Sequence, residues 1–281
     1  MRHLSARTPL ASPVDLDTYG PYDPGRPPRI RFAGRVTADG DFTARPFRYH
    51  VYGGLFCPYS HRTAIVRELA GLTDVVTMSY VDDVRDGRGW AFREKHGPDP
   101  VNGYRLLRDA YEATEEKYDG HVSVPTLWDR FRSRVTSNDP DGIEIDLATR
   151  FEHLAARRSA LYPLALRQRI DELHARFDPA LSGSLGRDEL LEAFEQLDAR
   201  LHRGTHLAGD ELTLADIRVW VRLVRYDVGH NATRTLNPGL HVFPHLWSYA
   251  RALYAQPAFR ATTDFASFTR PGARLPQWDV R

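Results

Sequence analysis

Residues 53–66 read Gly-Gly-Leu-Phe-Cys-Pro-Tyr-Ser-His-Arg-Thr-Ala-Ile-Val, and the fold is decided here. The preceding stretch, Arg48 to Gly54, alternates aromatic and β-branched residues, the pattern of a strand. After Cys57, Ile65, Leu69 and Leu72 recur at four and three, the helical spacing. Pro58 suits the first helical position, where no amide hydrogen is required, and Gly71 suits the helix C-terminus. A strand therefore runs out, turns, and enters a helix of which Cys57 occupies the mouth. Free amides and the positive end of the helix dipole stabilise a thiolate at such a place. His61 and Arg62, within one turn, add positive charge.

The cysteine has no sibling in the 281 residues. An intramolecular disulfide and a cysteine-based zinc site are excluded. The spacing Cys57-Pro-Tyr-Ser60 puts a serine where a C-x-x-C motif carries its resolving thiol. A mixed disulfide on Cys57 thus needs an external thiol to release it.

Outward from this segment the pattern continues. Asp74 to Val81 reads as a second strand. A long polar stretch, 82–120, contains a helix around Tyr104 to Lys117. Val122 to Trp128 and Ser133 to Thr136 read as two more strands, and Asp141 to Phe151 as a closing helix. The order β-α-β, then β-β-α, is the thioredoxin topology with an insert in its middle. In that topology a cis proline precedes the third strand, and Val124-Pro125 stands at that place.

The second half is helical. Leu190, Phe194, Leu197 and Leu201 form one apolar stripe; Leu214, Ile217, Val221 and Val224 a second; Leu246, Tyr249 and Leu253 a third. Thr213 and Asp216 have capping-box spacing. The expected organisation is an extended Pro/Gly/Arg-rich arm over 1–46, a thioredoxin-like domain over 47–155, a helical bundle over 156–265 and a tail over 266–281.

Composition bounds the rest. The hydrophobic fraction, 42%, is enough for a core, and the net charge of +1 gives no global bias toward nucleic acid or an anionic membrane. Only Lys95 and Lys117 are lysines, and the arginines are interleaved with acids as on a solvated surface. No apolar run approaches the about 20 residues of a membrane span, and the N-terminus has no apolar signal core. A cytoplasmic location is the expectation. His202 and His206 flank Gly204 without a metal motif and read as surface histidines; no metal is expected.

The segment CPYSHRT resembles the C-P-W-A-H-R-T of the xi-class glutathione transferases, the glutathionyl-hydroquinone reductases. The resemblance continues through Gly89-Trp90-Ala91-Phe92, Gly120 to Asp129, Leu161-Tyr162-Pro163, Thr213 to Asp227 and Phe243 to Tyr254, covering about residues 45–265. It implies a glutathione-transferase fold, a homodimer, and Cys57 as nucleophile on the sulfur of a thiol conjugate. It also implies that Trp90 packs on the cofactor thiol and that Val124, before Pro125, pairs with its backbone. The family's arginine before V-T-V-P is His121 here, and its N-E-S segment is Asn138-Asp139-Pro140. His121, Asn138 and Asp139 are therefore the remaining candidates for cofactor binding. Proline lacks both hydroxyl and amide donor, so it cannot grip a carboxylate as serine does. The tyrosine of the family's N-G-V-Y is missing from Ser182-Gly183-Ser184-Leu185, and Ala266-Ser267-Phe268-Thr269 stands near the place of its H-Y-Y. Tyr59 and Tyr226 are the candidates for the substrate pocket.

Two alternative explanations follow. The cofactor is either glutathione or another small thiol, and a thiol such as mycothiol, which lacks the γ-glutamyl group, would not need that grip. Alternatively, the substrate differs from that of the family, for instance a specialised metabolite. A conjugating or isomerising transferase without covalent capture, and a non-catalytic binding module, stay as alternatives.

Overall fold

The computed structural model describes residues 9–24, 29–157 and 159–279. The first eight residues and 25–28 of the expected arm, Arg158, and the last two residues of the expected tail lie outside the described residues. The chain divides into two compact units, residues 1–63 with 71–156, and residues 64–70 with 157–281.

The first unit is built on a four-stranded sheet. Its elements are α1 (Leu16–Tyr19), β1 (Tyr49–Gly53), α2 (Pro58–Leu69, which runs on into the second unit), β2 (Thr77–Tyr80), α3 (Arg108–Thr114), β3 (Thr126–Asp129), β4 (Arg134–Ser137) and α4 (Pro140–Thr149). Strand order is β2-β1-β3-β4, with β1 parallel to β2 and antiparallel to β3, and β3 antiparallel to β4. All five residues of β1 are buried, so its sequence alternation does not separate a wet face from a dry one. Buried His50 in β1 is accommodated by β2: its ring nitrogens lie 2.7 Å from Thr77 Oγ1 and 2.8 Å from Ser79 Oγ. At the other side of β1, the buried Arg48 guanidinium donates to Asp129 at 2.5 Å.

Several elements are shorter than the sequence suggests. Strand pairing on β3 begins only at Thr126, because Pro125, with no amide hydrogen, interrupts the ladder before it. β2 begins at Thr77; Val75 and Val76 instead donate to Leu72 O, at 2.9 Å each, in the turn after α2. α3 is confined to 108–114, because the residues before it are held in turns by Asp99, whose carboxylate accepts from the amides of Val101, Asn102 and Tyr104.

The arm lies along this unit. Gly34 N donates to Thr136 O at 3.0 Å and Asn138 N to Phe32 O at 2.8 Å, so the arm covers the open edge of β4. Its earlier part is tied to the insert: Ala11 N donates to Phe92 O at 2.9 Å, and Gly87 N to Gly20 O at 2.7 Å. A Cβ at residue 87 would stand 2.0 Å from the Tyr19 carbonyl oxygen, so only glycine fits this approach.

The second unit is helical: α5 (Arg167–Leu181), α6 (Arg187–Leu201), α7 (Leu214–Tyr226), α8 (Pro244–Tyr254) and α9 (Pro257–Ala261). The three apolar stripes read from the sequence are all buried. The capping box forms: Asp216 accepts from Thr213 N at 2.8 Å. The same buried carboxylate also accepts from Leu207 N at 2.9 Å and from Tyr249 Oη at 2.8 Å, joining α7 to α8 and to the preceding loop. No helix among the described residues is long and apolar enough to cross a membrane.

Candidate thiol site at Cys57

Cys57 closes the turn between β1 and α2. Its N–H donates to Gly54 O at 3.0 Å, and its carbonyl accepts from His61 N at 3.0 Å, the first bond of the helix. Pro58 follows as the first helical residue. The side chain is 8% exposed, and its thiol donates to Val124 O at a 3.4 Å Sγ–O distance. The Val124–Pro125 bond is cis, as the topology required.

Ser60, at the resolving position, is engaged by the backbone of the turn. It is buried, and its Oγ accepts from Gly54 N at 3.1 Å. The hydroxyl therefore holds the strand–helix turn. Arg62 is also buried in its own network, bonding Asp141 at 2.7 Å and approaching Glu144 at 3.1 Å. Its guanidinium lies 4.9 Å from the Tyr59 ring centroid. That contact and its Thr63-accepting carbonyl anchor Tyr59 on the first turn, partly exposed.

The sequence candidates separate into two groups. Cys57, Trp90, His121, Val124 and Pro125 belong to one continuous neighbourhood. Phe56 stacks on Trp90 at a 4.4 Å centroid distance. Trp90 carries the Arg85 guanidinium over its ring at 4.2 Å, and the same guanidinium lies 3.9 Å from the Tyr22 ring centroid. Tyr22 Oη lies 3.3 Å from His121 Nδ1 and accepts from Val122 N at 3.4 Å, two residues before Val124. Burial, followed by the charges of Arg85 and Arg29, lowers the His121 pKa below its ordinary value of 6.5.

The other candidates are occupied differently. Asn138 donates to Arg29 O at 2.9 Å and Ser123 Oγ at 3.1 Å, and accepts from Phe32 N at 3.0 Å and Arg31 N at 3.2 Å. Its amide is saturated by the arm and Ser123 together, so it is a structural clamp and not a free ligand group. Asp139 is the N-cap of α4, accepting from Asp141 N at 3.2 Å, with Pro140 at the first helical position. Tyr226 corrects the expectation of a pocket wall. It is 2% exposed in the core of the helical unit, packed edge-on against Phe194, with its hydroxyl donating to Asn237 at 2.9 Å. α7 is buried on nearly every face, including the one opposite the Leu214–Val224 stripe where Tyr226 sits, so its ring is not accessible. His202 packs on His245, and among the described residues no cluster of histidines, cysteines and acids could hold a metal ion.

Tyr22 and Arg85 were not foreseen. Tyr22 lies in the arm, 35 residues before Cys57, and Arg85 in a polar stretch where an arginine is unremarkable. The only sequence hint is proximity of Arg85 to Trp90.

Residues 165–252 match the glutathione S-transferase C-terminal domain family. The chain is 34% identical over 205 residues to the glutathionyl-hydroquinone reductase PcpF of Sphingobium chlorophenolicum, spanning 67% of this chain and just under two thirds, 66%, of that protein. It is 30% identical over 247 residues to the glutathionyl-hydroquinone reductase YqjG of Escherichia coli K12, spanning 82% of this chain and 75% of that protein. The glutathione-bound structure of YqjG superimposes with a TM-score of 0.79 at 29% identity, over 84% of this chain and 85% of that chain.

Proposed function

The chain belongs to the xi-class glutathione transferases, the enzyme family of the glutathionyl-hydroquinone reductases, and on that premise we propose that Cys57 performs a reductive thiol transfer. The Cys57 thiolate attacks the sulfur of an aryl thioether conjugate. The S–S bond forms as the carbon–sulfur bond breaks, and the leaving aryl carbon takes a proton. A second small thiol then attacks the mixed disulfide, restoring Cys57 and departing as the symmetric disulfide. The net reaction converts conjugate plus thiol into free arene and disulfide, with the thiol as the reductant.

The observation that carries this reading is the approach of Cys57 Sγ to Val124 O, 3.4 Å, beside Pro125. It sets the nucleophile against the backbone before Pro125, of the kind a bound thiol's own amide can pair with. Ser60, bonded to Gly54, supports release by an external thiol and not by the chain itself. Trp90 supplies an aromatic wall for the cofactor.

The identity of the thiol is a separate matter. Asn138 is saturated by the arm and Ser123, and Asp139-Pro140 caps α4, so the usual γ-glutamyl grip is altered. This supports a cofactor bound by other groups, glutathione in a modified mode or a different small thiol. A conjugating transferase, in which Cys57 only positions the cofactor thiol, is the second reading, favoured by the same altered grip. The homodimer of the family is expected and is checked by light scattering.

The deciding experiment incubates the protein with glutathione, bacillithiol and mycothiol disulfides and records intact masses. An adduct on the wild type, absent from Cys57→Ser, is expected. No adduct with any of them overturns the covalent mechanism in favour of the conjugating one.

A further inference from the structure

Arg85 is a cation without a counter-ion among the described residues, in the same ring of contacts as Cys57. Its neighbours in the loop behave differently. Arg88 is paired with Asp86 at 2.7 Å, and Arg93 lies 3.6 Å from Asp86 and 3.8 Å from Asp82. Arg85 has only aromatic faces, Tyr22 at 3.9 Å and Trp90 at 4.2 Å. It is partly buried. Holding a guanidinium out of water without a carboxylate costs desolvation, which two cation–π contacts offset only in part.

The contacts around it close on themselves. Cys57 bonds Val124; Val122, two residues earlier, bonds Tyr22; Tyr22 and Trp90 both carry Arg85; Trp90 stacks on Phe56, the residue before Cys57. We propose that Arg85 binds a carboxylate of the cofactor thiol, and that Tyr22 of the arm, by holding Arg85, is part of the thiol site. The proposal rests on the reading of Cys57 as the thiol-handling nucleophile.

The chemistry favours a carboxylate over other ligands. Stacking engages the flat faces of a guanidinium and leaves its N–H donors, which lie in the plane, for a ligand's oxygens. That fork matches a carboxylate in a bidentate pair. His121, on the same wall, does not supply the charge: burial and the nearby Arg85 hold its imidazole toward the neutral form. The positive charge of this site is thus carried from residue 85. A cofactor thiol that is an acid fits it, as glutathione and bacillithiol are. An uncharged sugar thiol such as mycothiol brings no partner for Arg85.

The test follows mixed-disulfide formation on Cys57 at increasing concentrations of glutathione disulfide, its fully esterified form, bacillithiol disulfide, mycothiol disulfide and the neutral hydroxyethyl disulfide. The wild type is expected to reach half-saturation with the free acids at about 10- to 100-fold lower concentration than with the ester, as a charge-assisted pair gives. Arg85→Met is expected to remove that difference, each variant's half-saturation with acid and ester being taken relative to its own value with hydroxyethyl disulfide. Arg85→Lys should keep only part of it, and Tyr22→Leu should reduce it. Equal discrimination in wild type and Arg85→Met, or a preference for mycothiol disulfide over the acids, overturns the proposal. Unaltered discrimination in Tyr22→Leu removes the arm from it. A wild type that forms no adduct even with hydroxyethyl disulfide overturns the Cys57 reading, and the proposal with it.

Discussion

The Cys57 thiol donates to the Val124 carbonyl oxygen at 3.4 Å, and this bond joins the start of α2 to the segment leading into β3. Serine retains a donor of similar reach at this position. Cys57→Ser is therefore expected to stay within about 1 kcal/mol of wild-type stability in urea unfolding, while losing every disulfide adduct. A large loss of stability would show that the thiol's main part is in packing.

Ser60 holds the turn below it. Removing its hydroxyl in Ser60→Ala leaves the Gly54 N–H buried and unbonded, at a cost of about 1–3 kcal/mol. The adduct on Cys57 should still form and still need external thiol for release. A variant of unchanged stability that accumulates less adduct would assign Ser60 to the chemistry instead.

Asn138 ties the arm to the sheet unit through Arg29, Arg31 and Phe32. Asn138→Ala is expected to lower stability by about 2–4 kcal/mol, since several bonds of a buried side chain are lost together. Limited proteolysis should then cut the arm before the sheet. Gly87→Ala, which collides with the Tyr19 carbonyl, should release the earlier part of the arm in the same assay. Resistance of both variants to cleavage would contradict this anchoring.

His121 makes stability depend on pH in the mildly acid range. Its native pKa is depressed by burial first and by Arg85 and Arg29 next. The unfolded chain therefore takes up this proton at higher pH than the native one. The contribution is complete above the ordinary value of 6.5 and is lost as pH falls from there through the lower native value. His230, also depressed by burial, acts in the same direction. The comparison is accordingly between wild type and His121→Gln: the variant should lose less stability between pH 7.5 and 5.5. Parallel profiles would remove His121 from the acid response.

Tyr226 is a core residue, so Tyr226→Phe should cost about 1 kcal/mol, the bond to Asn237, and leave thiol transfer at its wild-type rate. A selective change in the substrate's KM, at unchanged stability, would return it to the pocket.

The local parts of this protein are legible in its chain. The passage from β1 through Cys57 and Pro58 into α2 depends on neighbours a few residues apart, as do the apolar stripes of α6, α7 and α8 and the Thr213–Asp216 box. Those features follow from backbone geometry and residue type, so reading them needs nothing distant. Val124-Pro125 was legible only through topology, since nothing local distinguishes it from an ordinary edge proline.

What tertiary structure decided is how equivalent-looking polar residues are used. Asn138 and Arg85 both look like candidate ligand groups or surface polarity in the sequence. Asn138 meets Arg29, Arg31 and Phe32, more than a hundred residues earlier, and is saturated; Arg85 meets Tyr22 and Trp90 and acquires no carboxylate among the described residues. Whether a donor is spent or free depends on which chain segment folds back onto it. The arm's course, which brings Tyr22 and Phe32 to those places, arises from long-range pairing with β4 and the insert, and no periodicity in the arm encodes it.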